Sequence, residues 1–127
     1  MSQYYLNTEE YARLAAAAAA EGCVLLKNEN KTLPVRKGER VSVFGRIQLD
    51  YYKSGTGSGG LVNTHYVKGI LDALRKEPDI AVNEELAQVY ESWCGKHPFD
   101  KGKGWGQEPW SQEEMPLEDE VVEKAAG

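Results

Sequence analysis

The run Val41-Ser42-Val43-Phe44-Gly45 constrains this chain more than any other feature. It is short, apolar and rich in β-branched residues, and it follows a turn at Lys37-Gly38-Glu39, so it reads as a central strand of a parallel sheet. Residues 46–63 then carry few helix or strand signals, and Ser54 to Gly60 is built only of Gly, Ser and Thr. A loop of that kind after a parallel strand leaves from the C-terminal end of the sheet, where open α/β folds place their ligands.

The rest of the chain supplies the partners such a strand needs. Asn7 is placed to cap a helix from Thr8 to about Glu21, with Glu10 reaching back and Gly22 ending it at the C′ position. Its alanine run, Ala15 to Ala20, makes one face narrow enough for close packing. Cys23-Val24-Leu25-Leu26 reads as a buried strand or extended segment, and Leu33-Pro34-Val35 as a second extended piece. Val67, Ile70, Leu71 and Leu74 recur at helical spacing, predicting a helix over Tyr66 to Lys76. A strand at Ile80-Ala81-Val82 follows, then a helix over Glu84 to Cys94 with Leu86, Val89, Tyr90 and Trp93 on one side. Residues 95–116 are rich in Gly, Pro and Trp and read as a surface excursion. Another helix begins at Leu117.

With 127 residues the chain has room for one domain at most. Its 15 Lys+Arg against 20 Asp+Glu give a net charge of -5, which offers no basic field to nucleic acid or anionic lipid. The longest apolar run, Leu14 to Ala20, is too short to span a bilayer and lacks the flanks of a signal peptide. A cytoplasmic protein is expected. Cys23 and Cys94 are far apart, with no Cys-x-x-Cys and no Cys/His cluster, so they read as buried free thiols without a metal or a disulfide. No cofactor is expected.

Gly55, Gly57 and Gly60 spell the spacing G-x-G-x-x-G. In a dinucleotide site, however, the first glycine follows the strand almost directly, whereas here Gly45 and Gly55 are well separated. A dinucleotide- or phosphate-binding module therefore stands as one alternative and a non-catalytic interaction domain as another. A loop whose backbone approaches a ligand closely, with Thr56 and Ser58 as hydrogen-bonding groups, also suits a sugar, and Tyr51 or Tyr52 could cover its apolar face. His65 and His97 read as ordinary polar residues. Glu113, Glu114, Glu118, Asp119 and Glu120 read as a solvated helix start and not as an acid/base pair. Trp93, Trp105 and Trp110 fit core, lid or interface equally.

The segments Ala18-Ala19-Ala20-Glu21-Gly22-Cys23-Val24-Leu25-Leu26-Lys27-Asn28-Glu29, Thr32-Leu33-Pro34-Val35 and Val41-Ser42-Val43-Phe44-Gly45-Arg46, in that order, resemble the opening of the α/β sandwich domain of glycoside hydrolase family 3. Tyr51 to Gly60 looks like the loop that follows it. The resemblance is close over residues 10–76 and thins beyond. It implies an α/β fold, a partial sandwich with a mainly parallel sheet flanked by helices, ending before the domain is complete.

In that family a barrel domain carries the nucleophilic Asp, and the sandwich supplies the acid/base Glu and loops that complete the sugar pocket. The reaction is retaining hydrolysis through a glycosyl-enzyme intermediate. By resemblance Ser58 contacts the sugar, with Thr56, Ser54 and Lys53 as further substrate-binding candidates. No catalytic carboxylate is assigned within these residues, so the piece alone is expected to be inactive. The sandwich opening stands close to Met1, which resembles the subgroup with reversed domain order. The implied partners are a β-glycoside, reached through the full-length parent, and the barrel domain of the same protein. The sheet edge left open after Gly127 predicts that the piece self-associates.

Overall fold

A computed structural model describes residues 6–51, 63–64, 66–104, 107 and 109–126. The chain divides into two compact units, Met1–Pro34 and Val35–Gly127.

The first unit is built on α1, Thr8–Glu21. The Asn7 side chain accepts the N–H of Glu10 at 3.2 Å while its amide donates to the Glu10 carboxylate at 3.3 Å, so the helix starts where the capping residues direct it. It ends differently from the expectation. Gly22 has φ -75 and stays right-handed, because its N–H still reaches Ala18 O and the Cys23 N–H takes Ala20 O. These bonds satisfy the last carbonyls without a left-handed cap.

Residues 23–26 form no strand, and they are exposed: Val24 is 76% and Leu26 92% accessible. No strand stands beside them among the described residues. Cys23 is exposed as well, its thiol donating to Ala19 O at 3.4 Å, which corrects its reading as a buried thiol. Farther on, the Asn28 amide closes a turn by bonding both ways to the main chain of Leu33, at 2.7 and 3.0 Å. The Leu33–Pro34 peptide is cis.

The second unit holds the sheet. β1, Arg40–Val41, pairs in parallel with β2, Ala81–Val82, with Arg40 opposite Ala81 and Val41 opposite Val82. The ladder is shorter than the apolar run suggests because Asn83, directly after β2, turns into the cap of the next helix. Its N–H to Val41 O at 2.9 Å is the last rung, and among the described residues Val43 and Phe44 run on without a strand beside them. α2 covers only Ile70–Leu74. Gly69 before it is held extended at ψ 167 against the main chain of Gln48, where an added Cβ would lie 2.9 Å from Gln48 O. The helix therefore starts at residue 70 and not at 66.

The core forms where α3, Glu84–Lys96, meets α4, Asp119–Ala126. Leu86, Tyr90, Met115 and Val121 are buried together, with Leu49, Val89, Trp93 and Ala125 packed against them. The periodic face expected of α3 is the face that is covered. A fully buried side chain of this size contributes about 1.5–3 kcal/mol, so this contact, more than a sheet of two short strands, stabilises the unit.

Asn83 ties the pieces together. Its Oδ1 accepts from Leu86 N at 3.2 Å and from Arg40 Nη2 at 3.2 Å. Its Nδ2 donates to Lys124 O at 2.7 Å and to Ser42 Oγ at 3.0 Å, and the Ser42 hydroxyl donates to Ala125 O at 3.0 Å.

Candidate functional site

The candidate site lies where the chain leaves β1. Gly45 has φ 93, a conformation that a side chain would strain, and it turns the chain into a short 3-10 helix at Arg46–Gln48. The N–H groups of Gly45, Arg46 and Gln48 in this turn are taken, that of Gln48 by Gly45 O at 3.2 Å. The Tyr90 hydroxyl, brought up from α3, accepts the Gly45 N–H; burial pushes that phenol above its ordinary range, and this hydrogen bond pulls partly back. The Arg46 N–H lies 3.0 Å from both oxygens of Glu114. Gln48, almost fully buried, donates its amide to Val43 O and Gly45 O, both at 3.0 Å.

The Arg46 guanidinium is buried in turn, at 4% exposure. Nη1 donates to Glu113 O at 2.9 Å and Nη2 to His97 O at 2.9 Å, with the Asp50 carboxylate at 3.4 Å. Its Cζ stands 5.4 Å from the Trp93 ring centroid and 5.7 Å from that of Phe99, within cation–π range. Trp93 also stacks on His97, centroids 4.3 Å apart and planes 7° off parallel, and His97 Nδ1 pairs with Glu113 at 3.0 Å. Residues 97–99 and 113–114, distant in sequence, thus close over the root of the loop.

Of the residues singled out from the sequence, Lys53, Ser54, Thr56 and Ser58 lie outside the described residues. So do Tyr52, His65, Trp105 and the glycines at 55, 57 and 60. Tyr51 is described and exposed at the near end of that segment. Glu113 and Glu114 are not simply a solvated helix start: one pairs with His97 and the other holds the Arg46 N–H. Asp119 and Glu120 do occupy the first turn of α4. Cys94 is only partly covered; burial pushes its thiol up, with Arg46 acting in the opposite direction. Trp93 belongs to the packed cluster, while Trp110 is fully exposed.

Arg46, Gln48, Asn83 and Glu114 are what the sequence reading missed. The usable signal was an Arg and a Gln alternating with Ile47 and Leu49 directly after a strand, a pattern that buries polar groups only when partners arrive from elsewhere.

The phosphate-binding alternative rests on Gly55 to Gly60, which lie outside the described residues; only the N–H groups directly after β1 can be compared with an anion site. Anions in α/β folds sit on free N–H groups just past a strand. Here that position is filled by the protein's own Glu114 carboxylate, which would repel a phosphate. A groove of about 480 Å³ also runs along α3 and α4, lined by Val89, Ser92, Trp93 and Met115 with Lys96 and Lys124; no pair of carboxylates faces it. Among the described residues no three His, Cys, Asp or Glu are grouped to hold a metal, and no helix is long and apolar enough to cross a membrane.

A parallel strand, a tightly held turn at its C-terminal end and helices packed behind define an α/β domain of the kind that presents loops to a ligand. Residues 23–126 match the glycosyl hydrolase family 3 C-terminal domain, and the chain belongs to that family. It is similar to a β-glucosidase of Ruminococcus albus, 54% identical over 121 residues, covering 95% of this chain and 13% of that protein. β-Glucosidase A of Butyrivibrio fibrisolvens is 37% identical over 87 residues, 68% of this chain and 10% of that one. Among solved structures, a β-glucosidase from Paenibacillus barengoltzii superposes with a TM-score of 0.85 at 58% identity, covering 96% of this chain and 13% of that chain. β-Glucosidase 3B from Thermotoga neapolitana, solved in complex with glucose, gives 0.75 at 32% identity, with 94% and 16% covered. The chain thus spans 13% of the length of the Ruminococcus albus protein and 13% of the Paenibacillus barengoltzii chain.

Proposed function

We propose that these residues work within a longer retaining β-glucosidase, in which the segment Lys53 to Gly60 helps form the sugar pocket beside a separate catalytic barrel. The observation that carries the reading is the root of that segment: a turn whose N–H groups at Gly45, Arg46 and Gln48 are occupied and whose Arg46 is locked between two distant stretches. Such a base suits a loop that must meet a ligand at a set position. The likeness to β-glucosidases over nearly the whole chain supports the substrate class. Ser58 is the principal sugar contact in this reading, with Thr56, Ser54 and Lys53 beside it.

The nucleophile and the acid/base residue belong to other parts of the parent, since Glu113 and Glu114 are committed to His97 and Arg46. The exposed Val24, Leu25 and Leu26 favour docking against the rest of the parent, and self-association when the piece is alone. The same reading places the protein in the cytoplasm, where the exposed Cys23 thiol stays reduced.

An aryl β-glucoside assay tests the proposal. The full-length protein turns the substrate over with retention of configuration, and the 127-residue piece does not. Turnover by the repurified piece, or none by the full-length protein on any β-glycoside, contradicts it.

A further inference from the structure

The groove along α3 and α4 carries a definite charge pattern. Val89, Trp93 and Met115 give it an apolar lining, and Glu85, Lys96 and Lys124 supply its charges. Asn83 caps the start of α3 and donates to Lys124 O at 2.7 Å, so Lys124 stands at the same end as Glu85. Lys96 is the last residue of the helix. Eleven positions separate Glu85 from Lys96, about 16.5 Å along a helix axis. The groove is thus an apolar strip with a lysine at each end and a glutamate beside one of them.

α1 carries the complementary pattern. It is 14 residues long with none buried, and Tyr11 and Leu14 are 63% and 66% exposed. A helix of that length is marginal in water unless tertiary packing covers one face. At 3.6 residues per turn Glu10, Leu14, Ala17, Ala18 and Glu21 share a face, with Arg13 at its edge. Glu10 and Glu21 are again eleven positions apart, with only apolar side chains between them on that face.

One direction of docking matches every charge. Laid parallel to α3, α1 sets Glu10 against Lys124, Arg13 beside Glu85 and Glu21 against Lys96. The reverse direction brings Arg13 within a turn of Lys96 and leaves Glu85 facing Glu21. The small Ala17 and Ala18 let the helix axes approach closely over Val89 and Trp93. Lys124 already pairs with Glu120 at 2.8 Å and Glu10 takes the Asn7 amide at 3.3 Å, but an ammonium has three protons and a carboxylate a second oxygen. A second copy brings helix and groove together, so one two-fold exchange uses both helices and both grooves and then closes.

We propose that the α3–α4 groove is a docking surface for α1 of a second copy, in a dimer where each α1 lies in the other copy's groove. This rests on the reading that the piece self-associates when alone.

Sedimentation equilibrium of the 127-residue chain in the micromolar range tests it, with far-UV circular dichroism on each variant. The wild-type chain is expected to be a dimer. Lys96→Glu with Lys124→Glu in one chain, and Glu10→Lys with Glu21→Lys in another, each weaken that dimer at least about tenfold, because attraction at both ends becomes repulsion. An equimolar mixture of the two restores a one-to-one complex, since each groove then meets a helix of opposite charge. Leu14→Asp leaves all the end charges in place and is expected to be monomeric; it decides the matter should a charge-reversed chain lose its helix content.

A dimer that persists in Leu14→Asp and in both charge-reversed chains overturns the docking of α1 and leaves self-association standing. Charge-reversed chains that lose the dimer and stay apart on mixing overturn it too, because the charges then act within each chain. A wild-type chain that is monomeric throughout the range removes the self-association reading and this dimer with it.

Discussion

Both carboxylate oxygens of Glu114 lie 3.0 Å from the main-chain nitrogen of Arg46. One residue shortly before α4 thereby supplies the acceptor for an N–H in the turn that follows β1. Glu114→Ala leaves that donor without its charged partner and is expected to lower stability by about 1–3 kcal/mol. Glu114→Gln keeps one acceptor oxygen and is expected to lose less. The shift in urea midpoint at constant slope measures both.

Asn83 concentrates more interactions than any apolar residue near it. Asn83→Ala removes the cap of α3 and leaves Lys124 O and the Ser42 hydroxyl short of a donor, so a loss of about 2–4 kcal/mol is expected from the cap and the unpaired groups together. Asn83→Asp keeps the acceptor for Leu86 N but faces Lys124 O with a carboxylate, and recovers only part of the loss. Equal stability of Asn83→Asp and wild type in urea would contradict the assignment of the two donor bonds.

Two glycines make opposite predictions for the same change. At Gly69 a Cβ would stand 2.9 Å from the backbone oxygen of Gln48, which cannot yield without moving the turn, so Gly69→Ala is expected to destabilise by about 1–3 kcal/mol. Gly95 lies within α3 with open space around the Cβ position. Gly95→Ala is expected to stabilise by about 0.4–1 kcal/mol, by restricting the unfolded chain. Thermal melts of the two variants should move in opposite directions.

The buried Tyr90 phenol and the partly covered Cys94 thiol set the alkaline limit. Tyr90 and Cys94 both titrate above their ordinary values of 10.0 and 9.0, chiefly through burial. The folded state then keeps protons that the unfolded state releases. Their contribution is complete below pH 9 and is lost as pH rises through the raised values. Cys94→Ala is expected to flatten the first part of that decline in a series of melts from pH 8 to 11. The acid side runs oppositely: the Arg75 guanidinium holds Glu84 below its usual 4.5, so that contribution is present above 4.5 and fades as pH falls through the lowered value. It stays under about 1 kcal/mol because the pair is exposed to solvent.

The sequence was most informative where structure is local. Asn7 and Asn83 cap the helices that follow them, and the periodic face of α3 is the buried one, because capping and amphipathic spacing depend on residues within a turn or two. The spacing failed where long-range packing decides. Val24 to Leu26 are apolar yet exposed, and the strand read over Val41 to Gly45 keeps a ladder only at Arg40–Val41, since β2 gives way to a helix cap. The burial of Arg46 and Gln48 was illegible for the same reason: their covering groups come from residues 97–99, 113–114 and 69. The segment resembling a sugar loop was legible as a motif, and its candidate residues lie outside those the structure describes.

The most direct test of the central claim is a crystal structure of the full-length protein with glucose bound. The account predicts the Ser58 hydroxyl within about 2.6–3.2 Å of a sugar hydroxyl, with Arg46 still held between Trp93 and Phe99 behind the loop. Glucose bound in the catalytic site with no atom of residues 53–60 in contact would contradict it.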